Sequence, residues 1–505
     1  MAGKIPLAPE ANLRTSRFTF SLLIILTIAF AAMPLLQAQV ALEKLPYSGG
    51  VLMSRAMRQG RVQLHPGSMD ELVNGVAMLT CTPAPCVFTP VRASNAGSQP
   101  ANEYPIAYNP TNNLQLITGA NDYNCSNIQG FYTSGDGGTT WNHACTKGSG
   151  GEGDPVAGYD LLGNTFSGGI QSGNFVIFTS TDNGTTWSNP ITVTKPLLGY
   201  LADKPWMEVD TSSSSAFVNN VYYSGTQFSS TSNSEISVSR SSDHGQTWAT
   251  VAVDTQQHFP TFVDQFSDLA IGADGTVYLN WIRCPANGSA GDCGGTVTNI
   301  MFSKSTDGGA TWSTPAIITT TTLAPDACFC AFYGSLPNTS ERISDIPSNT
   351  ASGSGSTAKV LVTYYNWTGT FMQVMAIAST DGGTTWGTPS IVDPTSTKGD
   401  QFFMWANHTS GGGRLAVTWL DRRNDTANKK YQPFFAMSAN GGSSFAASHI
   451  IDSTLSDPTK DGFGGSFFGD YRTHVFTGKT IYADWPDTNF TGSTAQDAVG
   501  GAQLK

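Results

Sequence analysis

Apolar and polar residues alternate in short runs along most of the chain, as in NFVIFTS at 174–180 and MQVMAIAS at 372–379. A period of two marks half-buried β-strands, and the glycine-bearing stretches between such runs mark turns. One turn recurs as an octet: SGDGGTTW at 134–141, STDNGTTW at 180–187, SSDHGQTW at 241–248, STDGGATW at 305–312 and STDGGTTW at 379–386, with a worn copy, SANGGSSF, at 438–445. Glycine supplies the positive φ of a tight turn, while the Asp carboxylate and the Thr hydroxyl take up backbone N–H groups inside it. The Trp is left to fold inward. The octet therefore reads as a structural hairpin staple.

A second unit lies between the octets. It opens on an acidic residue, runs into a short strand, turns, and rises into a strand rich in Val, Tyr and Trp. Its openings are Glu103, Asp154, Asp203, Asp264, Asp345, Asp400 and Asp470. The last opening has two strands before the chain ends, so its outer strands are expected from 75–80 and 86–94, pairing the two ends of the chain. Four-stranded antiparallel units repeated at this spacing and clasped end to end describe an all-β propeller. Seven openings favour seven blades over the alternative of six.

Composition fits. Only 12% of the 505 residues are charged and 54 are Gly, which suits strands and turns over long solvated helices. A formal charge of −11 lacks the basic stripe of a nucleic-acid surface. Near the start, Lys4, Arg14 and Arg17 precede the apolar run 18–33 and the small residue Ala38. This is the layout of a secretory signal over 1–38, followed by a lead-in segment over 39–74 and the propeller over 75–505. An uncleaved anchor is the alternative, although the run is shorter than the ~20 residues of a span. The protein is expected to be secreted, periplasmic or held at the cell surface, without a stable span once the signal is cut.

Eight cysteines fit an oxidising compartment. Local pairs suggest themselves: Cys81 with Cys86, Cys125 with Cys145, Cys284 with Cys293. Cys328 and Cys330 are too close for an unstrained ring and have cross-pairing to Cys284 and Cys293 as an alternative. The histidines show no paired spacing of a zinc protease, and the SGSGS and SGGG strings lack the lysine-bearing helix of a phosphate loop.

The octets resemble the Asp-boxes, or BNR repeats, of the sialidase-like propeller superfamily, over about 100–490. That resemblance implies a propeller fold and, for sialidases, a Tyr nucleophile primed by a carboxylate, an Asp acid/base and three arginines that grip a substrate carboxylate. Carried over by position, Tyr471 in DYRTHVFTGKTIYADW matches the nucleophile, Asp122 in ITGANDYN the acid/base, and Arg283 and Arg414 the second and third arginines. The segment NEYPIAYN at 102–109 stands where the family carries its first arginine, which puts sialic acid in doubt as the substrate. The activating carboxylate is open among Asp264, Asp268 and Glu341.

Chain order places the acidic openings around one mouth of the channel, opposite the octets. Asp154, Asp203 and Asp264 are expected to bind substrate there, or else to tie down the starts of their strands. No cofactor is required; a cation such as calcium is compatible with an acidic ring, and the metal is otherwise unknown. The expected partner is a glycan or glycoconjugate. Two functions remain: a sialidase-like glycoside hydrolase of altered specificity, or a non-catalytic propeller that binds glycans or proteins. Lyase chemistry with Tyr471 as base ranks below both.

Overall fold

The computed structural model describes residues 45–67, 85–94, 97–230, 233–255, 257–258, 261–285, 293–327, 332–395, 398–409, 412–490 and 494–504, with Met1 and Gly3. Its strands form seven antiparallel sheets, so the chain is a seven-bladed β-propeller. In chain order, blades I to VI occupy 101–145, 151–194, 201–252, 263–322, 348–391 and 401–450, each running outward from an innermost strand. Blade VII takes its inner strands from 474–477, 480–487 and 496–503, and its outer edge from 86–87 and 91–92. Cys86 pairs with Gln503 and Val91 with Val499, so the amino-terminal side closes the ring. The expected closing strand over 86–94 is thus present; 75–80 lies outside the described residues.

The innermost strands follow one another around the axis and meet again where blade VII contacts blade I. A bridge between Tyr104 and Arg472 marks that junction, and the Ile106 N–H donates to Thr473 Oγ1 at 2.7 Å. Large side chains fill the core, with Trp281, Trp419 and Trp485 fully buried.

Each octet links the third strand of its blade to the fourth. In blade V, Asp381 Oδ1 accepts the Thr384 and Thr385 N–H groups at 3.0 and 2.8 Å, Oδ2 accepts the Thr385 hydroxyl at 2.6 Å, and Ser379 Oγ accepts the Gly383 N–H at 2.9 Å. The worn copy keeps the pattern with an amide: Asn440 Oδ1 accepts the Ser444 N–H at 3.0 Å. A second role joins neighbouring blades. A Cβ on the last glycine of an octet would lie 2.5 Å from Thr133 (Gly184), 2.5 Å from Phe302 (Gly383) or 2.3 Å from Leu361 (Gly442), each in the preceding blade. Glycine is therefore needed there for close approach as well as for its positive φ.

Two disulfides expected from spacing are present, Cys125–Cys145 and Cys284–Cys293. Cys81, Cys328 and Cys330 lie outside the described residues, as does nearly all of the leader. No helix among the described residues is long and apolar enough to cross a membrane.

Candidate functional site

Since octets occupy the turns from third to fourth strand, the entries to the first strands and the loops from second to third strand emerge on the opposite face. At that mouth the inner strands are bulged. The ladder slips between Gly153 and Val156, Asp203 and Trp206, Gln265 and Asp268, and Phe402 and Trp405. Within the slips, Asp154, Lys204, Phe266 and Phe403 have φ of 57, 49, 64 and 49°, and Glu103 in blade I has 62°. Such bulges re-aim side chains next to functional sites, and left-handed backbone at bulky residues is costly enough to need support. The equivalent positions therefore carry Glu, Asp, Lys, Phe and Phe, so the acidic openings are not a symmetric ring.

Glu103, Asp154, Asp203 and Asp470, all fully buried, converge near the axis. They are wired together: Asn121 Nδ2 donates to Glu103 Oε2 at 2.7 Å, Asn121 Oδ1 accepts the Asp154 N–H at 2.9 Å, and the Asp470 N–H donates to Glu103 Oε1 at 3.1 Å. Burial, then the facing Asp470, pushes Glu103 up to about 7; burial, then Asp154, pushes Asp203 up to about 7. Burial and then Glu103 raise Asp154, and burial lowers Lys204, which sits among them. Lys204 and Arg342, which pairs with Asp470 at 3.0 Å, supply the positive charge. No three of these carboxylates bring ligand atoms close enough together to hold a cation. Among the described residues, the grouping of three ligand atoms close enough for a metal is instead Cys125, His143 and Cys145, whose cysteines are consumed in a disulfide.

The mouth is not open. Residues 45–58 of the lead-in lie across it, ending in helix α1 (Gly49–Arg58). Local sequence explains the helix: Ser48 caps its start, Val51, Leu52, Met53 and Ala56 are buried, and Arg55 and Arg58 occupy the last turn, where cations suit the dipole. Gly60, at φ 67°, closes the end, with the Arg61 N–H donated to the Ala56 carbonyl. The Ser48 N–H and hydroxyl donate to the two oxygens of Asp203 at 2.8 and 2.7 Å, and the Gly49 N–H to Asp470 Oδ2 at 2.6 Å. The positive end of a helix dipole thus meets the carboxylate cluster. Arg55 and Arg58 grip Glu152 at 2.9 and 3.0 Å. Sequence reasoning passed over this segment, although a Ser cap, an apolar face and a terminal glycine are the ordinary signals of a helix.

The residues singled out from sequence do not form one cleft. Tyr471 lies beneath the cluster, fully enclosed. Its hydroxyl donates to the Pro155 carbonyl at 2.6 Å, Lys204 Nζ sits 3.7 Å from its ring centre, and Trp206 meets it edge-on. Burial and then the acids Glu103 and Asp154 hold its phenol well above the usual range, so it stays protonated. Asp154 is beside it, and Asp203 is next to Asp154 in the cluster.

Arg283 and Asp264 form a bidentate pair near the rim of blade IV, at 2.8 and 2.9 Å, and Arg283 also binds Asp254. Burial pushes Asp264 up to about 7 even though Arg283 pulls it down. Asp122 sits between strands of blade I, accepting from the Tyr132 hydroxyl at 2.7 Å and the Asn124 N–H at 2.9 Å, with His143 Nε2 at 3.1 Å. Burial alone would raise its carboxyl; the His143, Tyr132 and Asn124 hydrogen bonds outweigh that and hold it low. Arg414 belongs to the hairpin between 401–408 and 415–421, on the octet face, away from the others. Of the three carboxylates considered as activators, Glu341 pairs with Arg422 and Asp268 accepts the Leu269 and Asn349 N–H groups.

At the octet end the channel opens into a cavity of about 560 Å³ lined by Trp206, Trp405, Glu208, His408 and His474 among others. Trp206 and Trp405, 4.5 Å apart, lie along its wall, and burial pushes Glu208 up to about 8.

No protein-family model matches the chain, and no curated protein does. Solved structures do. The intramolecular trans-sialidase from Ruminococcus gnavus shares 12% identity over 65% of this chain and 91% of its own, with a TM-score of 0.41. An α-L-arabinanase from Penicillium chrysogenum shares 13% over 68% and 92%, with a TM-score of 0.43. A polysaccharide lyase of family PL25, an ulvan lyase, shares 9% over 76% and 91%, with a TM-score of 0.45. At these identities the likeness is one of chain path, and no residue role is transferred from it.

Proposed function

We propose that this chain is an exported, glycan-directed propeller that, in the form described, binds rather than cleaves. One observation carries the choice between binding and hydrolysis: the Tyr471 hydroxyl is donated to a backbone carbonyl beneath a mouth covered by α1, while Arg283 is engaged by Asp264 and Asp254. A nucleophile needs a base within reach and a path to substrate, and Tyr471 has a carbonyl at its oxygen. The glycan part of the reading rests on the octets and their resemblance to Asp-boxes, and export rests on the basic and apolar leader.

The test is a screen of the purified protein against aryl glycosides, sialosides included, beside Tyr471→Phe, together with retention on immobilised glycans. Retention without turnover is expected. Turnover by the wild type that disappears in Tyr471→Phe would reverse the choice, making Tyr471 the nucleophile of a hydrolase.

A further inference from the structure

The segment across the mouth is bonded as a ligand would be. Ser48 gives two neighbouring donors, an N–H and an O–H, to the two oxygens of one carboxylate, Asp203, at 2.8 and 2.7 Å. A vicinal pair of sugar hydroxyls presents two donors in the same way. The carbonyls just upstream are matched by donors: Gln265 Nε2 and the Tyr333 hydroxyl serve Pro46 at 3.1 and 2.9 Å, and Arg342 Nη2 serves Tyr47 at 2.8 Å. The Tyr47 ring fills a slot against Phe228, with centroids 5.0 Å apart, beside Tyr200. Acceptors at the centre, donors at the edge and an aromatic wall make a lining suited to a polyhydroxylated ring.

Two further observations show that the fit belongs to a thin occupant and is incomplete. A Cβ on Gly49 would lie 2.1 Å from Phe467, and one on Gly50 would lie 2.5 Å from Asp154 Oδ1. That oxygen is buried without a hydrogen-bond partner of its own, although Glu103 and Ser48 both act on the Asp154 carboxyl. The blades do not require the segment for closure, because their ring is completed by 86–87 and 91–92.

We propose that Ser48–Gly50 is a displaceable self-ligand, and that the pocket of Glu103, Asp154, Asp203 and Asp470 takes the vicinal hydroxyls of a glycan when the segment leaves. The proposal rests on the glycan-directed reading and adds to it the site and the hydroxyl pair recognised. An occupant tethered in cis competes at the high effective concentration of a linked group, so it masks the pocket's intrinsic affinity by the fraction of time it is seated.

The full chain is titrated calorimetrically with methyl α-mannoside and methyl β-galactoside, with cyclohexanol as a single-hydroxyl control. Gly50→Val forces the segment off Asp154, and trypsin cleavage after Arg55 and Arg58 reports unseating. The variant is expected to be cut at least tenfold faster than wild type and to bind one glycoside at least tenfold more tightly, with no gain for cyclohexanol. Adding Asp203→Asn should cancel the gain. Ser48→Ala, a milder change suited to the case in which Gly50→Val does not fold, should show a gain of about two- to fivefold.

Faster cleavage without tighter binding of a glycoside that the wild type retains overturns this inference alone. Binding by neither protein removes the glycan-directed reading with it. Unchanged cleavage in both variants overturns the claim that the segment is displaceable.

Discussion

Among single residues, the octet aspartates show how local chemistry can be read directly. Asp243 Oδ1 accepts the Gln246 and Thr247 N–H groups at 3.1 and 2.8 Å and its Oδ2 the Thr247 hydroxyl at 2.6 Å, which outweigh desolvation and hold its carboxyl down at about 2. A depressed folded value means stability present above the unfolded value of about 4 and lost as pH falls toward 2. Asp243→Ala should therefore lower stability by about 1 kcal/mol at neutral pH, with the difference from wild type shrinking below pH 3, as followed by urea unfolding across pH. A penalty that stays constant down to pH 2 would contradict the role given to the ionised carboxylate. The same turn chemistry was legible in SSDHGQTW because every partner of Asp243 lies within four residues. The partners of Tyr471 were not legible, since Pro155 is 316 positions away in sequence.

At the level of elements, the carboxyls buried beneath α1 set the pH response of the fold. Glu103 and Asp203 stand near 7 because of burial, above their exposed values of about 4. Folding therefore takes up protons at these two carboxyls: the stability it has below about pH 4 is lost as pH rises through 7. Lys204, Asp154, Asp470 and Arg342 are the other charged groups facing the pair. The melting temperature followed across pH should fall between pH 5 and 8, and Asp203→Asn should flatten the curve. A rise over that interval would count against the assignment. The Cys284–Cys293 link is a second local device, closing a short loop beside Arg283. Replacing both cysteines with Ser should cost about 2–3 kcal/mol, visible as a lower melting temperature, whereas an unchanged melt would show that the loop is held by its other contacts. The lead-in helix carried ordinary capping signals, yet nothing local said where it docks.

For the whole molecule, the ring closes by pairing strands from opposite ends of the chain, Cys86 with Gln503 and Arg92 with Ala498. A chain starting at residue 95 leaves the 496–503 strand as an unpaired edge, which invites association between molecules. It is expected to melt lower and less cooperatively and to form larger species on size-exclusion chromatography. A monomer with the melting curve of the full chain would show that the clasp is dispensable. The outer-strand pairing was anticipated from counting openings against octets, because a missing strand is a topological deficit visible in the repeat itself.

The sequence alone determined the blades, their number, the octet turns and the closing strand, because each is encoded by periodicity and by hydrogen bonds between residues close along the chain. The composition of the mouth was decided only in three dimensions. Bulges in the innermost strands place Asp154 and Lys204 at equivalent positions while leaving Asp264 to pair with Arg283 at the rim, and a helix from residues 49–58 is seated over the cluster. Those outcomes depend on burial and on charge summed over groups distant in sequence, and neither quantity exists until the ring has closed.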